Sequence, residues 1–167
     1  MALIMVDGGR WRQGAEVCDF PALLGIMERK MDLYIDCEWN GFGGELISMA
    51  LVSTDGREWY EELGCDSPID WVAENVMPHL SKAPITRREM QLSLVKFLSG
   101  FDRINIVADW PEDIERFCQL LITGPRERIN TPALTFAIIR IDAESATPHY
   151  ALDDARGIAL ALNPPPT

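Results

Sequence analysis

The sequence lacks several features that would assign a chain of this size to a common class. Its four cysteines, Cys18, Cys37, Cys65 and Cys118, have no CxxC spacing. That absence argues against a zinc site or a disulfide framework and favours reduced thiols in a cytoplasmic protein. No apolar run approaches the roughly 20 residues of a membrane span, so we expect no membrane partner. The first residues also lack the basic start and long apolar stretch of a signal peptide.

Positive charge is scarce as well. The chain has 15 lysines and arginines against 26 aspartates and glutamates, a net charge of −11, and only two histidines. This balance argues against binding of nucleic acid through bulk electrostatics. It does not exclude an enzyme acting on nucleic acid, because cations bound to metal-ligating carboxylates are missing from the tally. The candidates for local attraction of a polyanion, each more often a solvated surface charge, are Arg87-Arg88, Arg126 with Arg128, Arg140 and Arg156.

The chain divides into an N-terminal extension and one domain. Its 167 residues are enough for a single substantial core. Residues 1–30 are predicted to be loosely ordered or peripheral, with one short helix from Pro21 to Met31. The domain proper is predicted over 31–163, and residues 164–167 form a tail.

The order of predicted elements indicates an α/β domain. Three antiparallel strands come first, and helices then alternate with strands, which favours one mixed sheet flanked by helices. The first helix is predicted to start at Ser67-Pro68, because serine can cap a helix and proline suits its first turn. The predicted strands lie at about 32–38, 45–53, 57–63, 103–108 and 135–141. The predicted helices run from Ser67 toward Pro78, from about Thr86 to Ser99, from Asp113 to Ile122, and over about 150–162.

Two acidic residues of the first strand carry the strongest chemical signal. Leu33, Ile35 and Cys37 alternate with polar residues there, and residues two apart on a strand share a face. Asp36 and Glu38 therefore project together. Neighbouring carboxylates repel unless a cation binds between them, and a hard divalent ion takes oxygen ligands. An exposed acidic strand face explains the pair equally well when the pair is taken alone.

Further candidate residues follow at the ends of later elements. Asp109 and Asp113 both lie at a strand-to-helix junction, where α/β sheets tend to place ligands, although Asp113 could equally cap the helix. His149 precedes Asp154 by five residues, which is roughly 500° of ideal helix. The two side chains therefore converge only if His149 lies in the entry loop and Asp154 in the helix. Histidine suits proton abstraction near neutral pH, and a surface histidine is the alternative.

Together these patterns resemble the signature of the DEDDh 3′–5′ exonucleases, which belong to the ribonuclease H-like superfamily. That signature is Asp-x-Glu on a first strand, an aspartate at a strand-to-helix junction, and His-x-x-x-x-Asp at the last helix. The order matches across about 32–162. The segments Glu45–Ser48, Asp55–Tyr60 and Phe117–Leu120 look most like a small exoribonuclease branch known from bacteria and phages. The resemblance implies a ribonuclease H-like mixed sheet.

The resemblance also implies a role for each candidate. Asp36 would bridge two divalent ions, Mg²⁺ or Mn²⁺, and Glu38 and Asp154 would complete their ligands. Asp113 would contribute directly or through water. His149 would act as general base on the water that attacks the phosphodiester in line.

Two positions near this signature stay open. The family often has Thr-Gly after Asp-x-Glu, whereas this chain has Trp39-Asn40, and Trp39 either stacks on a terminal base or packs inside the domain. Asp109 is the alternative to Asp113, although counting back from Cys118-Gln119-Leu120 favours Asp113.

The resemblance implies a metal-dependent 3′–5′ exoribonuclease that trims single-stranded RNA 3′ ends and releases nucleoside monophosphates. RNA is expected as a partner in preference to DNA, and a homodimer is expected by analogy with relatives. The alternatives are the same chemistry on DNA and a catalytically inactive acidic binding module.

Overall fold

The computed structural model describes residues 4–6, 10–13, 16–18 and 30–165. Contacts within the chain divide it into two units, Met1–Lys30 and Met31–Thr167. The short helix predicted from Pro21 falls almost entirely on residues 21–29, outside the described ranges.

The described residues of the first unit, apart from Lys30, form three short strands. β1 (Ile4–Val6), β2 (Arg10–Gln13) and β3 (Glu16–Cys18) pair antiparallel in that order. The sequence pattern did not predict them, because strands of three or four residues are too short to establish an alternation.

The strands of the second unit are β4 (Met31–Trp39), β5 (Leu46–Ser53), β6 (Glu58–Glu62), β7 (Arg103–Ala108), β8 (Ile122–Gly124), β9 (Glu127–Arg128) and β10 (Ala133–Ile138). Five of them form a mixed sheet in the order β10-β7-β4-β5-β6. β5 pairs antiparallel with β4 and with β6, whereas β7 runs parallel to both β4 and β10. This arrangement confirms the predicted α/β class with its antiparallel and parallel parts. The other two strands form a small hairpin, β8-β9, which was not predicted.

Four α-helices and one 3₁₀ turn accompany this sheet. They are α1 (Asp70–Asn75), the 3₁₀ turn Met77–His79, α2 (Arg87–Leu98), α3 (Pro111–Leu121) and α4 (Ala151–Leu162). A capping box between Thr86 and Glu89 starts α2, close to the predicted position. None of the helices in the described ranges is long and apolar enough to cross a membrane.

The predicted start of α1 at Ser67 is wrong. The helix begins at Asp70, and Ile69 occupies the position before it without any side-chain cap. The side chain of Asn40 binds this entry instead, donating to the carbonyl of Ser67 and accepting from the N–H of Ile69. A long-range contact therefore sets the helix start, which local sequence preference cannot anticipate.

The two faces of the sheet pack against different helices. Leu33, Ile35 and Cys37 of β4 lie in the larger core with α2 and α3. Tyr34 lies on the other face, in a cluster that includes Ile158 of α4. Each large side chain fully buried in this way contributes about 1.5–3 kcal/mol. The alternation along β4 therefore directs Asp36 and Glu38 toward the face that α4 covers.

Candidate metal site and general base

The carboxyl ends of β4 and β7 bring acidic residues from distant parts of the sequence together. The parallel pairing of these strands ends at Tyr34 opposite Val107. Two residues beyond this pair lie Asp36, which is still in β4, and Asp109, the first residue after β7. Asp113 follows in the first turn of α3. The topology thus collects, at one edge of the sheet, residues that are 73 and 77 positions apart in sequence.

Two groups of carboxylates share Asp36. The oxygen atoms of Asp36, Glu38 and Asp154 that could bind a metal all lie within 4.8 Å of one another. The same limit holds for Asp36, Asp109 and Asp113. The structure therefore brings together all four carboxylates predicted from the sequence and adds Asp109, which the sequence left as an alternative to Asp113.

Burial and mutual repulsion disfavour the ionised form of the carboxyl groups in this cluster. Burial raises the pKa of Asp36 well above its usual range, and the charges of Asp113 and Glu38 raise it further. Burial, reinforced by the charge of Asp154, raises the pKa of Glu38 to about 8. The pKa of Asp113 rises to about 8 by burial and the charge of Asp109. Ionisation of all these groups at neutral pH thus requires a compensating cation.

One carboxylate oxygen of Asp36 is also buried without a hydrogen-bond donor among the described residues. Its Oδ2 accepts no hydrogen bond from the part of the chain that the structure describes. An unpaired buried carboxylate oxygen is costly, and a set of five carboxylates offers only hard oxygen donors. This donor chemistry fits Mg²⁺ or Mn²⁺ better than softer ions.

Asp113 is held by the neighbouring strand. The N–H of Cys37 donates to Asp113 Oδ1 at 3.0 Å, and the side chain is only 1% exposed. The helix starts at Pro111, and Trp110 stands at the cap position. The interpretation of Asp113 as a helix cap is therefore not supported. The bond to Cys37 fixes one oxygen and leaves the other for a ligand.

His149 lies in the loop that enters α4, as convergence with Asp154 requires. Its backbone N–H donates to Asp154 Oδ2 at 3.0 Å, and its backbone has a φ of 66°, which is uncommon outside glycine. The imidazole meets the ring of Trp71 edge to face, with 4.9 Å between ring centroids. His149 belongs to neither carboxylate group. This placement suits a proton acceptor beside a metal site better than a metal ligand.

Two cavities border this cluster, and Asp36, His149 and Asp154 line both of them. One has a volume of about 300 Å³ and includes Asp109. The other, the indole cavity, has a volume of about 270 Å³ and includes Glu38, Trp39 and Trp71. The register of the β4-β5 pairing shifts between Glu38 and Trp39, as it does at β-bulges, which often occur near functional sites.

Trp71 is the site residue that sequence reasoning missed. Its side chain is 51% exposed and lines the indole cavity. The residue that α1 buries is its neighbour Val72, and adjacent side chains of a helix point in different directions. Nothing in the local sequence indicates that the exposed side of this short helix faces the cavity, because that placement depends on tertiary contacts.

Close packing against α4 fixes the segment that leads to His149. A Cβ atom at Gly157 would lie 2.4 Å from the carbonyl oxygen of Glu144. Glycine at this position therefore allows residues 144–145 to lie directly against the helix. Because this segment continues to His149, Gly157 contributes to the position of the imidazole.

Comparisons with known proteins leave the site to be interpreted from its own geometry. A scan against protein-family models and a search among curated proteins both find no match to this chain. The resemblance to the DEDDh exonucleases rests on the residues quoted above and on their order in the chain.

Proposed function

We propose that this protein is a metal-dependent 3′–5′ exonuclease of the DEDDh type, with a ribonuclease H-like fold, and that it degrades single-stranded RNA from its 3′ end. The observation that carries the proposal is the sharing of Asp36 by two carboxylate groups. A carboxylate common to two divalent ions is the arrangement that in-line phosphodiester cleavage uses.

The residues present fit two hard cations. Asp36 would contact both, Glu38 and Asp154 would hold one, and Asp113 with Asp109 would hold the other. When bound, the ions would supply Lewis-acid activation of water and stabilisation of the leaving oxygen. Their charge would also offset the repulsion that raises the pKa values of Glu38 and Asp113.

His149 is the proposed general base. Its imidazole lines the same cavities as Asp36 and Asp154, so it can accept a proton from a water molecule held there. The backbone bond to Asp154 and the contact with Trp71 restrict where the ring can lie. Such a base contributes roughly 10²–10⁴-fold to the rate.

The surroundings favour a single strand as substrate. Trp39 and Trp71 both line the indole cavity, and indole rings stack on bases of any sequence. A cavity of about 270 Å³ accommodates one nucleotide more readily than a base pair. The preference for RNA over DNA is supported by the resemblance of the sequence to the exoribonuclease branch.

The test is digestion of labelled RNA and DNA oligonucleotides of equal sequence by the wild-type protein and Asp36→Asn. We expect shortening from the 3′ end with release of nucleoside monophosphates in Mg²⁺ or Mn²⁺, faster on RNA, and none with EDTA. Asp36→Asn should reduce the activity below detection, whereas Asp102→Asn, a change at an exposed position before β7, should leave it unchanged.

Three results would change the conclusion. Undiminished digestion by Asp36→Asn would contradict the mechanism, and faster digestion of DNA would favour the DNA alternative. A wild-type protein that neither digests nucleic acid nor gains thermal stability from Mn²⁺ would instead be an acidic binding module.

A further inference from the structure

Arg116 is a buried cation with an unused donor. Its side chain lies on α3 and is 7% exposed, yet its Nε has no hydrogen-bond partner within residues 30–165. The other nitrogens make long contacts only, 3.4 Å from Nη1 to Gln119 Oε1 and 3.6 Å from Nη2 to Glu112 Oε1. Burying a guanidinium is costly unless its donors are satisfied, so an anionic ligand at this guanidinium would offset that cost.

This arginine lies next to the proposed metal site. It follows Asp113 by three residues on α3, which is about 4.5 Å along the helix axis. Its guanidinium carbon is 5.9 Å from the centroid of the Trp39 ring. Trp39 comes directly after Glu38 and lines the indole cavity. Arg116 is therefore separated from that cavity by a single side chain.

Arg116 lines a second, larger cavity, which we call the Arg116 pocket. Its volume is about 630 Å³, and Arg87, Ser67 and Gln119 contribute polar groups to its lining. Leu46, Leu63 and Ile85 add an apolar part to the same lining. The pocket thus offers two guanidinium groups where the chain as a whole is strongly acidic.

Two carboxylates also line the Arg116 pocket. Glu45 and Asp66 are both exposed, and Glu45 accepts a hydrogen bond from the thiol of Cys65 at 3.1 Å. Solvent and salt screen exposed charges more strongly than the buried guanidinium of Arg116. The charge of Arg116 is therefore less screened than the charges of Glu45 and Asp66.

We propose that the Arg116 pocket binds a backbone phosphate of the RNA strand, upstream of the bond that is cleaved. This inference rests on the proposed function and extends it from the reacting nucleotide to the strand behind it. The planar guanidinium fork matches the oxygens of a phosphate. An acidic cluster repels a polyanion, so the strand needs a cationic contact close to the reacting phosphate.

The experiment measures binding of a fluorescently labelled single-stranded RNA heptamer by fluorescence anisotropy at several KCl concentrations. All proteins carry Asp36→Asn, which prevents cleavage, and Mn²⁺ is held constant. We expect Arg116→Gln to weaken binding about tenfold and to reduce the slope of log Kd against log salt by about 0.7, the value for one phosphate on a single strand. Lys96→Gln removes an equal charge from the exposed surface of α2 and should leave the slope unchanged.

A second variant keeps the test valid if Arg116→Gln is poorly folded. Ser67 is exposed and lines the pocket, so Ser67→Glu introduces a repelling charge without disturbing the core. It should weaken RNA binding in the same direction, with the melting temperature unchanged.

The outcomes separate the two proposals. A slope for Arg116→Gln equal to the slope for Lys96→Gln, together with undiminished RNA binding by Ser67→Glu, would overturn the pocket assignment, as would a complete absence of RNA binding. Failure of the wild-type protein to digest RNA would overturn the proposed function, whatever the slopes show.

Discussion

The carboxylates and the histidine of the candidate site are held in very different ways. Asp36 lies in β4, which pairs with β5 and β7, and Asp113 is buried in a helix and bonded to Cys37. His149 lies in the segment between Ile138 and Ala151, which forms neither helix nor strand. The difference teaches that the proposed metal ligands are held by strands and helices, whereas the proposed base is positioned by a loop and can be altered separately.

The largest effect on activity without an effect on metal binding is expected from His149→Ala. The variant should lose roughly 10²–10⁴-fold in kcat, because proton transfer is lost, while the rise in melting temperature caused by Mn²⁺ remains. Steady-state digestion and thermal denaturation measure the two properties. His79→Ala, which changes the other histidine of the chain, should retain activity. A variant that loses metal stabilisation along with activity would contradict the separation of base and ligands.

A comparison of Asp113→Asn with Asp109→Asn tests the proposed metal ligands without changing the proposed base. Asp113 is oriented by the N–H of Cys37, and asparagine can still accept that bond. We expect Asp113→Asn to lose more activity than Asp109→Asn, by the roughly 10–100-fold that supporting groups of metal sites contribute. Titration of activity with Mn²⁺ gives the metal affinity of each. A larger loss in Asp109→Asn would make Asp109 the middle acidic residue.

Gly157→Ala should disturb the histidine segment more than the carboxylates. The added methyl group would lie 2.4 Å from the carbonyl of Glu144, so residues 144–145 must move away from α4. We expect a loss of about 1–3 kcal/mol in the free energy of unfolding and a lower kcat with nearly unchanged metal affinity. Urea denaturation measures the first quantity. Leu160→Ala, at an exposed position of the same helix, is the matched control and should affect neither.

The effect most remote from activity is expected from pH in the metal-free protein. Glu38 has a usual pKa of 4.5 that rises to about 8 in the fold, so the folded protein binds this proton more tightly than the unfolded chain. Stability is then lost as pH rises from about 4.5 to about 8. In EDTA the melting temperature should fall by about 2–4 °C for each kcal/mol lost.

Glu38→Gln controls for other titrating groups. This variant should show a weaker pH dependence than the wild-type protein over the same range, and Mn²⁺ at pH 8 should restore the stability of the wild-type protein. A melting temperature that rises between pH 5 and 8 without metal would contradict the assignment.

The sequence predicted the strongly patterned elements well. The alternation of Leu33, Ile35 and Cys37 located β4, and the largely apolar segment predicted as a strand over 45–53 located β5 (Leu46–Ser53). β10 was displaced, predicted over 135–141 and found at Ala133–Ile138, because its mostly exposed side chains give a weak pattern. The β8-β9 hairpin has strands of three and two residues, too short for any period to appear.

The predicted site residues were available from sequence because each lies at the end of a recognisable element. Trp71 and Arg116 were not, since their relation to the site depends on contacts with residues far away in the chain. The sequence pattern did not mark Trp71 as a site residue, and nothing local distinguishes Arg116 from a surface arginine. The place of Asp109 in the cluster likewise required the register between β4 and β7.

The sequence by itself determined the α/β class, the common face of Asp36 and Glu38, and the condition under which His149 meets Asp154. These follow from the periods of strand and helix, which are local properties of the backbone. Only the tertiary structure decided that Asp36 belongs to two carboxylate groups and that Arg116 is buried beside Trp39 with a donor that no residue in 30–165 accepts from. Those facts depend on the parallel pairing of β4 with β7 and on the packing of α3 against β4, and both bring together residues that are distant in sequence.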